Sequence, residues 1–228
     1  MRCQFCHNPD TWDMKKGTLY TTDELLEKAM KYRSYWKNDG GITVSGGEPL
    51  LQIDFLTELF EKAHAQGIHT CLDSSGIIFN SGNPVLMEKF DRLVQVTDLV
   101  MLDIKHINPE EHEKLTKQPN TEILKFAKYL EEKKVDLWIR HVVVPGITDN
   151  PQYLEQLGAF IGSLHNLKAL DVLPYHTMGE VKYKNLGIPY PLAGVPAMDK
   201  AEAVKCKEII MKALKEKRKI WKEAEHKK

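Results

Sequence analysis

Short β-branched runs alternate with amphipathic stretches along this chain, and that alternation predicts its architecture. Thr21 and Glu24 have the spacing of a capping box. Leu25, Leu26, Ala29, Met30, Arg33 and Trp36 follow at helical intervals until Gly40-Gly41 stops them. Ile42-Thr43-Val44 reads as a strand. Phe55, Leu56, Leu59, Phe60 and Ala63 then share one face of a helix ending at Gly67, and His69 to Asp73 forms the next strand. Pro84 suits the first turn of a helix carrying Leu86, Met87, Phe90 and Leu93. Leu99-Val100-Met101-Leu102 is a nearly continuous apolar run, the pattern of a strand covered on both faces. A helix over Ile123 to Lys133 leads into Val135–Val144, the strongest strand signal, which Pro145-Gly146 ends. Asn150-Pro151 opens a helix with Leu154, Leu157 and Ile161, and Leu170 to Leu173 is the last strand. A long final helix starts near Asp199, after a loop rich in Gly, Pro and Tyr.

Repeated βα units imply a parallel sheet. Five strands are too few for a closed eight-stranded barrel, so the expected fold is α/β with an open or partial barrel, one domain over 1–228 with a frayed tail from about 216. Nearly every strand ends in polar or special-geometry residues: Ser45-Gly46-Gly47-Glu48, Asp73-Ser74-Ser75-Gly76, Asp103-Ile104-Lys105-His106, Pro145-Gly146 and Pro174-Tyr175-His176. Any one of these suits a turn. Together they place a site at the C-terminal edge of the sheet.

Composition narrows the classes. Thirty-two basic residues balance thirty-two acidic ones, so net charge recruits neither nucleic acid nor anionic membrane. The lysines from Lys212 to Lys228 read as a solvated helix face. No window approaches the ~18 apolar residues of a membrane span, and Met1 leads into Cys3 without the pattern of a signal peptide. Four cysteines are too few for a disulfide scaffold, and Cys71 and Cys206 read as buried structural thiols. A cytoplasmic protein is expected.

The remaining cysteines carry the chemistry. Cys3-Gln4-Phe5-Cys6-His7-Asn8 presents two thiols at the spacing of half a zinc site, a redox dithiol or one edge of an iron–sulfur cluster. Spacing alone does not choose among them. Asp103 and Lys105 could be a structural ion pair, His176 a turn residue, and Trp12 a packing residue; His7, His69 and His106 read as ordinary hydrogen-bonded histidines. Arg140, on an apolar strand, needs a buried partner.

Read jointly, Cys3 to Asp13, Val44 to Pro49, Gly67 to Asp73, Thr97 to Lys105, Trp138 to Gly146 and Leu173 to His176 resemble the glycyl-radical activases of the radical S-adenosylmethionine (SAM) superfamily. The resemblance runs from residue 1 to about 215. It implies a partial (β/α)6 barrel, a [4Fe–4S] cluster and SAM, whose reductive cleavage yields a radical that takes hydrogen from a glycine of a partner enzyme. It implies that Cys3 and Cys6 ligate the cluster and that Phe5 lies near the adenine. Gly46, Gly47 and Glu48 would receive the SAM amino group. Asp103, Lys105, Arg140 and His176 would be further SAM contacts, and Asp73 with Ser74 would hold a monovalent cation.

The family pattern is Cys-x3-Cys-x2-Cys, so the first cysteine would lie two residues before Met1, together with the barrel's first strand. The expectation is a chain that begins inside its own motif, with a labile cluster. No cysteine-rich insertion separates Cys6 from Gly46, which favours the pyruvate formate-lyase type and a role in anaerobic glucose metabolism. The implied partners are the glycyl-radical loop of pyruvate formate-lyase and a flavodoxin or ferredoxin-type electron donor, with the activase a monomer. The alternatives are activation of another glycyl-radical enzyme, a non-catalytic remnant that binds SAM or the partner, and a zinc protein using Cys3, Cys6 and a histidine.

Overall fold

A computed structural model describes every residue except Lys15, Asn38, Asp39 and 226–228. One sheet of five parallel strands carries the fold: β1 (Gly41–Val44), β2 (His69–Ser74), β3 (Leu99–Asp103), β4 (Asp136–Val143) and β5 (Leu167–Pro174), in spatial order 1-2-3-4-5. Sequential order with parallel pairing makes every connection a crossover of the same kind, as in a barrel wall. β1 and β5 are its edges.

Helices α1 (Thr22–Met30), α2 (Ile53–His64), α3 (Pro84–Val94), α4 (Pro109–Thr116), α5 (Thr121–Glu132), α6 (Pro151–Gly162), α7 (Glu180–Asn185) and α8 (Lys200–Glu225) complete the chain. The Thr21–Glu24 capping box forms with both reciprocal bonds. The first helix is shorter than its periodicity suggests. It ends at Met30, and Arg33–Tyr35 forms a separate 3-10 turn from which Trp36 packs beside Leu26, Leu59 and Ile68.

Asn-Pro opens three helices, with Asn83, Asn108 and Asn150 each accepting a backbone N–H and a proline in the first turn. α4 was invisible to hydrophobic periodicity because Pro109–Thr116 carries one buried aliphatic, Leu115. Its Asn108-Pro109 start is the signal that could have found it. α7 falls in the loop expected to be irregular. α8 continues as helix to Glu225, so 226–228, the end of the expected frayed tail, lie outside the described residues. It lies close against α6: a Cβ on Gly158 would meet the Ile210 carbonyl oxygen at 2.3 Å, and one on Gly162 that of Leu214 at 2.8 Å.

Burial along the strands corrects the expectation of two covered faces. β3 and β4 alternate strictly: Val100, Leu102, Leu137, Ile139 and Val143 are buried against the helices. Met101, Asp103, Trp138 and Arg140, on the opposite face, are half-buried. The apolar core therefore fills the space between the outer face and the helices. The inner face carries charged residues that pair with one another and keep part of their surface exposed.

Candidate active site at the C-terminal edge of the sheet

Pleating sends successive strand residues to opposite faces, and parallel register carries each face across the sheet. Asp103 and Arg140 are register partners, and Asp73 pairs with Met101, one inward-facing step earlier on β3. Asp73, Asp103 and Arg140 thus share the inner face. Arg140 Nη1 donates to Asp73 Oδ2 at 3.1 Å, Nη2 donates to Asp73 Oδ1, and Nε and Nη2 donate to Asp103 at 3.3 and 3.2 Å. Lys105 Nζ closes the network 2.8 Å from Asp103 Oδ2, both side chains being 15% exposed. This meets the need of Arg140 for a buried partner, and joins Asp103 and Lys105 in one assembly.

The electrostatics follow from burial set against pairing. Burial alone would raise the Asp103 pKa, but Lys105 and Arg140 beside it hold its carboxyl below the ordinary value. Burial opposes the charge on Lys105 too, and Asp103 with the Cys3 sulfur outweighs it, so the ammonium is held above its ordinary value. The Cys3 thiol is pushed up by burial, with Lys105 the leading opposing influence.

Two expected ligands are placed elsewhere. Ser74 follows Asp73 on a strand, so its side chain points to the outer face. There its hydroxyl donates to Glu48 Oε1 at 2.6 Å and accepts from the Gly76 N–H at 2.9 Å. The Ser74 hydroxyl is thus turned toward Glu48 and away from Asp73. The hydroxyl beside Asp73 is Ser45, 3.0 Å from Oδ2.

Glu48 is likewise committed. Its carboxylate accepts from the Ser74 and Ser75 hydroxyls, the Ser75 N–H at 3.0 Å and the Leu50 N–H at 3.2 Å, clamping the turn after β1 to the turn after β2. Truncation in Glu48→Ala leaves these donors without their acceptor. Unfolding stability is expected to fall by about 1–3 kcal/mol in a urea melt; an unchanged midpoint would remove the clamp role.

The cysteine segment lies over this edge, held by the two helices that periodicity missed. The Arg2 and Gln4 N–H groups donate to the Thr116 and Leu115 carbonyls at the end of α4, both at 3.0 Å. From the other side Gly179, just before α7, abuts the Cys6 carbonyl, and Lys182 donates to Asn8 Oδ1 at 2.6 Å and pairs with Asp10 at 3.2 Å. The Cys6 N–H donates to the Cys3 carbonyl at 3.1 Å, closing a tight turn that carries both thiols, neither in a disulfide. Phe5, buried among Leu115, Val144, Tyr175 and Leu192, has Lys105 Nζ 5.5 Å from its ring centre.

His7, expected as an ordinary hydrogen-bonded histidine, also packs against a second histidine ring. Its ring stacks on His176 with centroids 4.0 Å apart, and His7 Nε2 and His176 Nδ1 are buried without a partner. His106 conforms to expectation, buried and accepting from the Asn108 N–H at 3.0 Å. Trp12 packs edge-on to Tyr183 under Arg2. Gly46 has φ +145° with open space where a Cβ would stand, and Gly47 approaches Thr11 of the cysteine segment. That glycine turn presents bare backbone next to Thr11 of the cysteine segment. Among the described residues no third metal-ligating side chain joins Cys3 and Cys6, so no zinc site is assembled there.

Paired charges, accessible glycine backbone, unpartnered ring nitrogens and two thiols thus converge on one edge. Such an edge can hold a ligand bearing both an ammonium and a carboxylate beside a thiolate-bound metal centre.

Comparison with known proteins bears on what that ligand is. The radical SAM superfamily model matches residues 1–157. Over 198 residues the chain is 53% identical to the pyruvate formate-lyase-activating enzyme of Listeria monocytogenes, spanning 86% of this chain and 79% of the relative. It is 48% identical over 209 residues to that of Streptococcus mutans, spanning 90% and 79%. Among solved structures, a domain of a pyruvate-formate lyase-activating enzyme from Bacteroides vulgatus superposes with a TM-score of 0.61 at 23% identity, covering 76% of this chain and 94% of that one. A radical SAM methyltransferase from Sphaerobacter thermophilus superposes at 0.64 with 15% identity, covering 92% and 60%. These two likenesses establish the partial-barrel fold.

Proposed function

The chain belongs to the radical SAM superfamily, and from that premise we propose that it is an activase that installs the glycyl radical of pyruvate formate-lyase. The observation that carries this reading is the meeting of thiol and charge at Lys105, which neighbours Cys3, lies over Phe5 and pairs with Asp103.

The residues present fit part of the family's cofactor set, supplying two of the three thiolates of its cluster pattern. Two thiols stand in one tight turn, and the partnerless His7 and His176 nitrogens lie in the same part of the molecule as the bare backbone of Gly46 and Gly47. When bound, a [4Fe–4S] cluster held by these thiolates would supply the single electron for reductive cleavage of SAM, the chemistry from which an activase makes a glycyl radical.

In our reading Cys3 and Cys6 ligate iron. Gly46 and Gly47 offer carbonyl oxygens to the SAM ammonium, which a carbonyl accepts from without a proton of its own. Asp103, Lys105 and Arg140 orient the methionyl end as one pre-paired unit, so neither charge must be desolvated alone when ligand binds. Phe5 bounds the adenine side, and His176 is held for its contact by the stack with His7. Glu48 acts on the site by fixing the glycine turn. Arg140 and Ser45 hold the Asp73 carboxylate at the inner edge of the site.

A flavodoxin or ferredoxin-type protein is the electron donor we assign, with the activase a cytoplasmic monomer. No helix among the described residues is long and apolar enough to cross a membrane.

Electron paramagnetic resonance tests the reading. Anaerobically reconstituted protein, incubated with SAM, a reductant and pyruvate formate-lyase, is expected to give a glycyl radical signal that disappears when SAM is omitted. A radical on a different glycyl-radical enzyme alone would keep the chemistry and overturn the substrate. Absence of any SAM cleavage would overturn both.

A further inference from the structure

β3 ends at Asp103, and Lys105 lies two residues beyond it, so the path of Ile104 between them decides where the lysine ammonium goes. Two consecutive residues of β4 fix that path. The Ile104 N–H donates to the Arg140 carbonyl at 3.1 Å, as a ladder bond would. The Ile104 carbonyl, past the end of the strand, accepts from the His141 ring at Nδ1, 2.8 Å away. Ile104 itself is buried in the core, so Asp103 and Lys105 flank it on the inner face.

His141 stands on the opposite face of β4, 3% exposed, among His106, Tyr153 and Leu157. Burial holds its ring below the ordinary histidine pKa, so at neutral pH it carries one proton. A carbonyl can only accept, which places that proton on Nδ1. Nε2 is then a bare lone pair, buried without a partner. Such a nitrogen opposes folding, and an apolar side chain would fill this place without that cost. What the histidine adds is the bond to Ile104.

Resting on the activase reading, we propose that His141 is a positioning residue of the SAM site, holding Ile104 from behind the sheet so that the Lys105 ammonium meets Asp103 and stands over Phe5. Those two contacts are 2.8 Å to Asp103 Oδ2 and 5.5 Å to the Phe5 ring centre. His141 acts on the site through one carbonyl, and without that bond the segment after Asp103 is free to turn.

The test sets His141→Phe, which keeps a ring and removes the donor, against His141→Asn, whose side-chain amide nitrogen takes the place of Nδ1. Both are made in the full chain. Before cluster reconstitution, the NMR signal of the Lys105 ammonium, assigned with Lys105→Arg, reads the ion pair directly. It should be protected from exchange with water in wild type and His141→Asn, and lost to exchange in His141→Phe. After anaerobic reconstitution, SAM affinity should fall roughly tenfold or more in His141→Phe at unchanged iron content, as when a supporting contact of a metal site is lost, and His141→Asn should recover it. A merely structural histidine would leave the Lys105 signal of folded His141→Phe at its wild-type value, which overturns the proposal. An ammonium already open to exchange in wild type, or one displaced in His141→Phe with SAM affinity unchanged, overturns it too.

Should His141→Phe not fold, wild type and His141→Asn decide: the His141 ring-nitrogen shifts should place the proton on Nδ1, and His141→Asn should keep the protected ammonium. A proton on Nε2, or loss of that signal, would overturn the proposal. A reconstituted wild type that cleaves no SAM would instead bring down the activase reading, while the Lys105 signal still judges the positioning.

Discussion

Cys6→Ser is expected to lose the brown iron–sulfur chromophore and, with it, SAM cleavage. Both thiols lie in one tight turn, and among the described residues no other metal-ligating side chain joins them, so nothing nearby can replace the lost sulfur. Cys71 and Cys206 are buried elsewhere. Mutating a supporting group around a metal ligand already lowers metal affinity or activity by roughly 10–100-fold, and removing a ligand should exceed the upper end of that range. Iron analysis and the visible spectrum after anaerobic reconstitution check the first half, and 5′-deoxyadenosine release checks the second. Cys71→Ser is the control and should keep both. If Cys6→Ser retains iron and cleavage at wild-type levels, this turn is not the metal site.

Arg140→Leu is the second large effect, and it acts on stability before function. The guanidinium, 22% exposed, is shared between Asp73 and Asp103, which are 14% and 15% exposed. Removing it leaves two nearly buried carboxylates on the same face, with Lys105 reaching only Asp103. Deleting one partner of such a buried set typically destabilises by about 3–5 kcal/mol. At 2–4 °C per kcal/mol for chains of this size, the melting temperature should fall by roughly 6–20 °C. Arg140→Lys should recover only part of this loss, since an ammonium cannot reproduce a fork bonded to two carboxylates. Arg140→Leu combined with Asp73→Asn should recover more, by relieving the exposed repulsion. A wild-type melt for Arg140→Leu would show that the network carries little energy.

The pH profile follows from the same pairings. Asp103 is held below its ordinary value of 3.8, so its contribution is complete above that pH and lost as pH falls through the lower folded value. Lys105 is held above 10.5, so its contribution is complete below that pH and lost as pH rises through the higher folded value. Stability from this network is therefore flat between about 3.8 and 10.5. Arg140→Leu removes one of the cations holding Asp103 down, and the acid limb of its melting curve should move to higher pH.

Much of this was legible from short stretches of sequence. The five strands, the Thr21–Glu24 cap, the helix starts at Pro84 and Asn150-Pro151, and the polar ends of the strands are each encoded within a few residues. Local sterics, capping and hydrophobic period decide such features without reference to the rest of the chain. The cysteine pair and the Gly-Gly turn were legible for the same reason, since their chemistry is compact.

What only the tertiary structure decided lies between residues remote in the chain. Arg140 reaches an aspartate 67 positions away, and only sheet register puts both on the inner face. Pleating turned the Ser74 hydroxyl away from Asp73 although they are neighbours in sequence, and the hydroxyl beside Asp73 is that of Ser45 from the turn after β1. Closure of two turns on each other captured Glu48. α4 and α7 have too little apolar periodicity to announce themselves, yet they fix the cysteine segment from its two sides. Sequence by itself determined which groups this protein owns and the local elements that carry them. The packing of sheet, helices and loops determined which of those groups meet, because burial and register act on surfaces assembled from the whole chain.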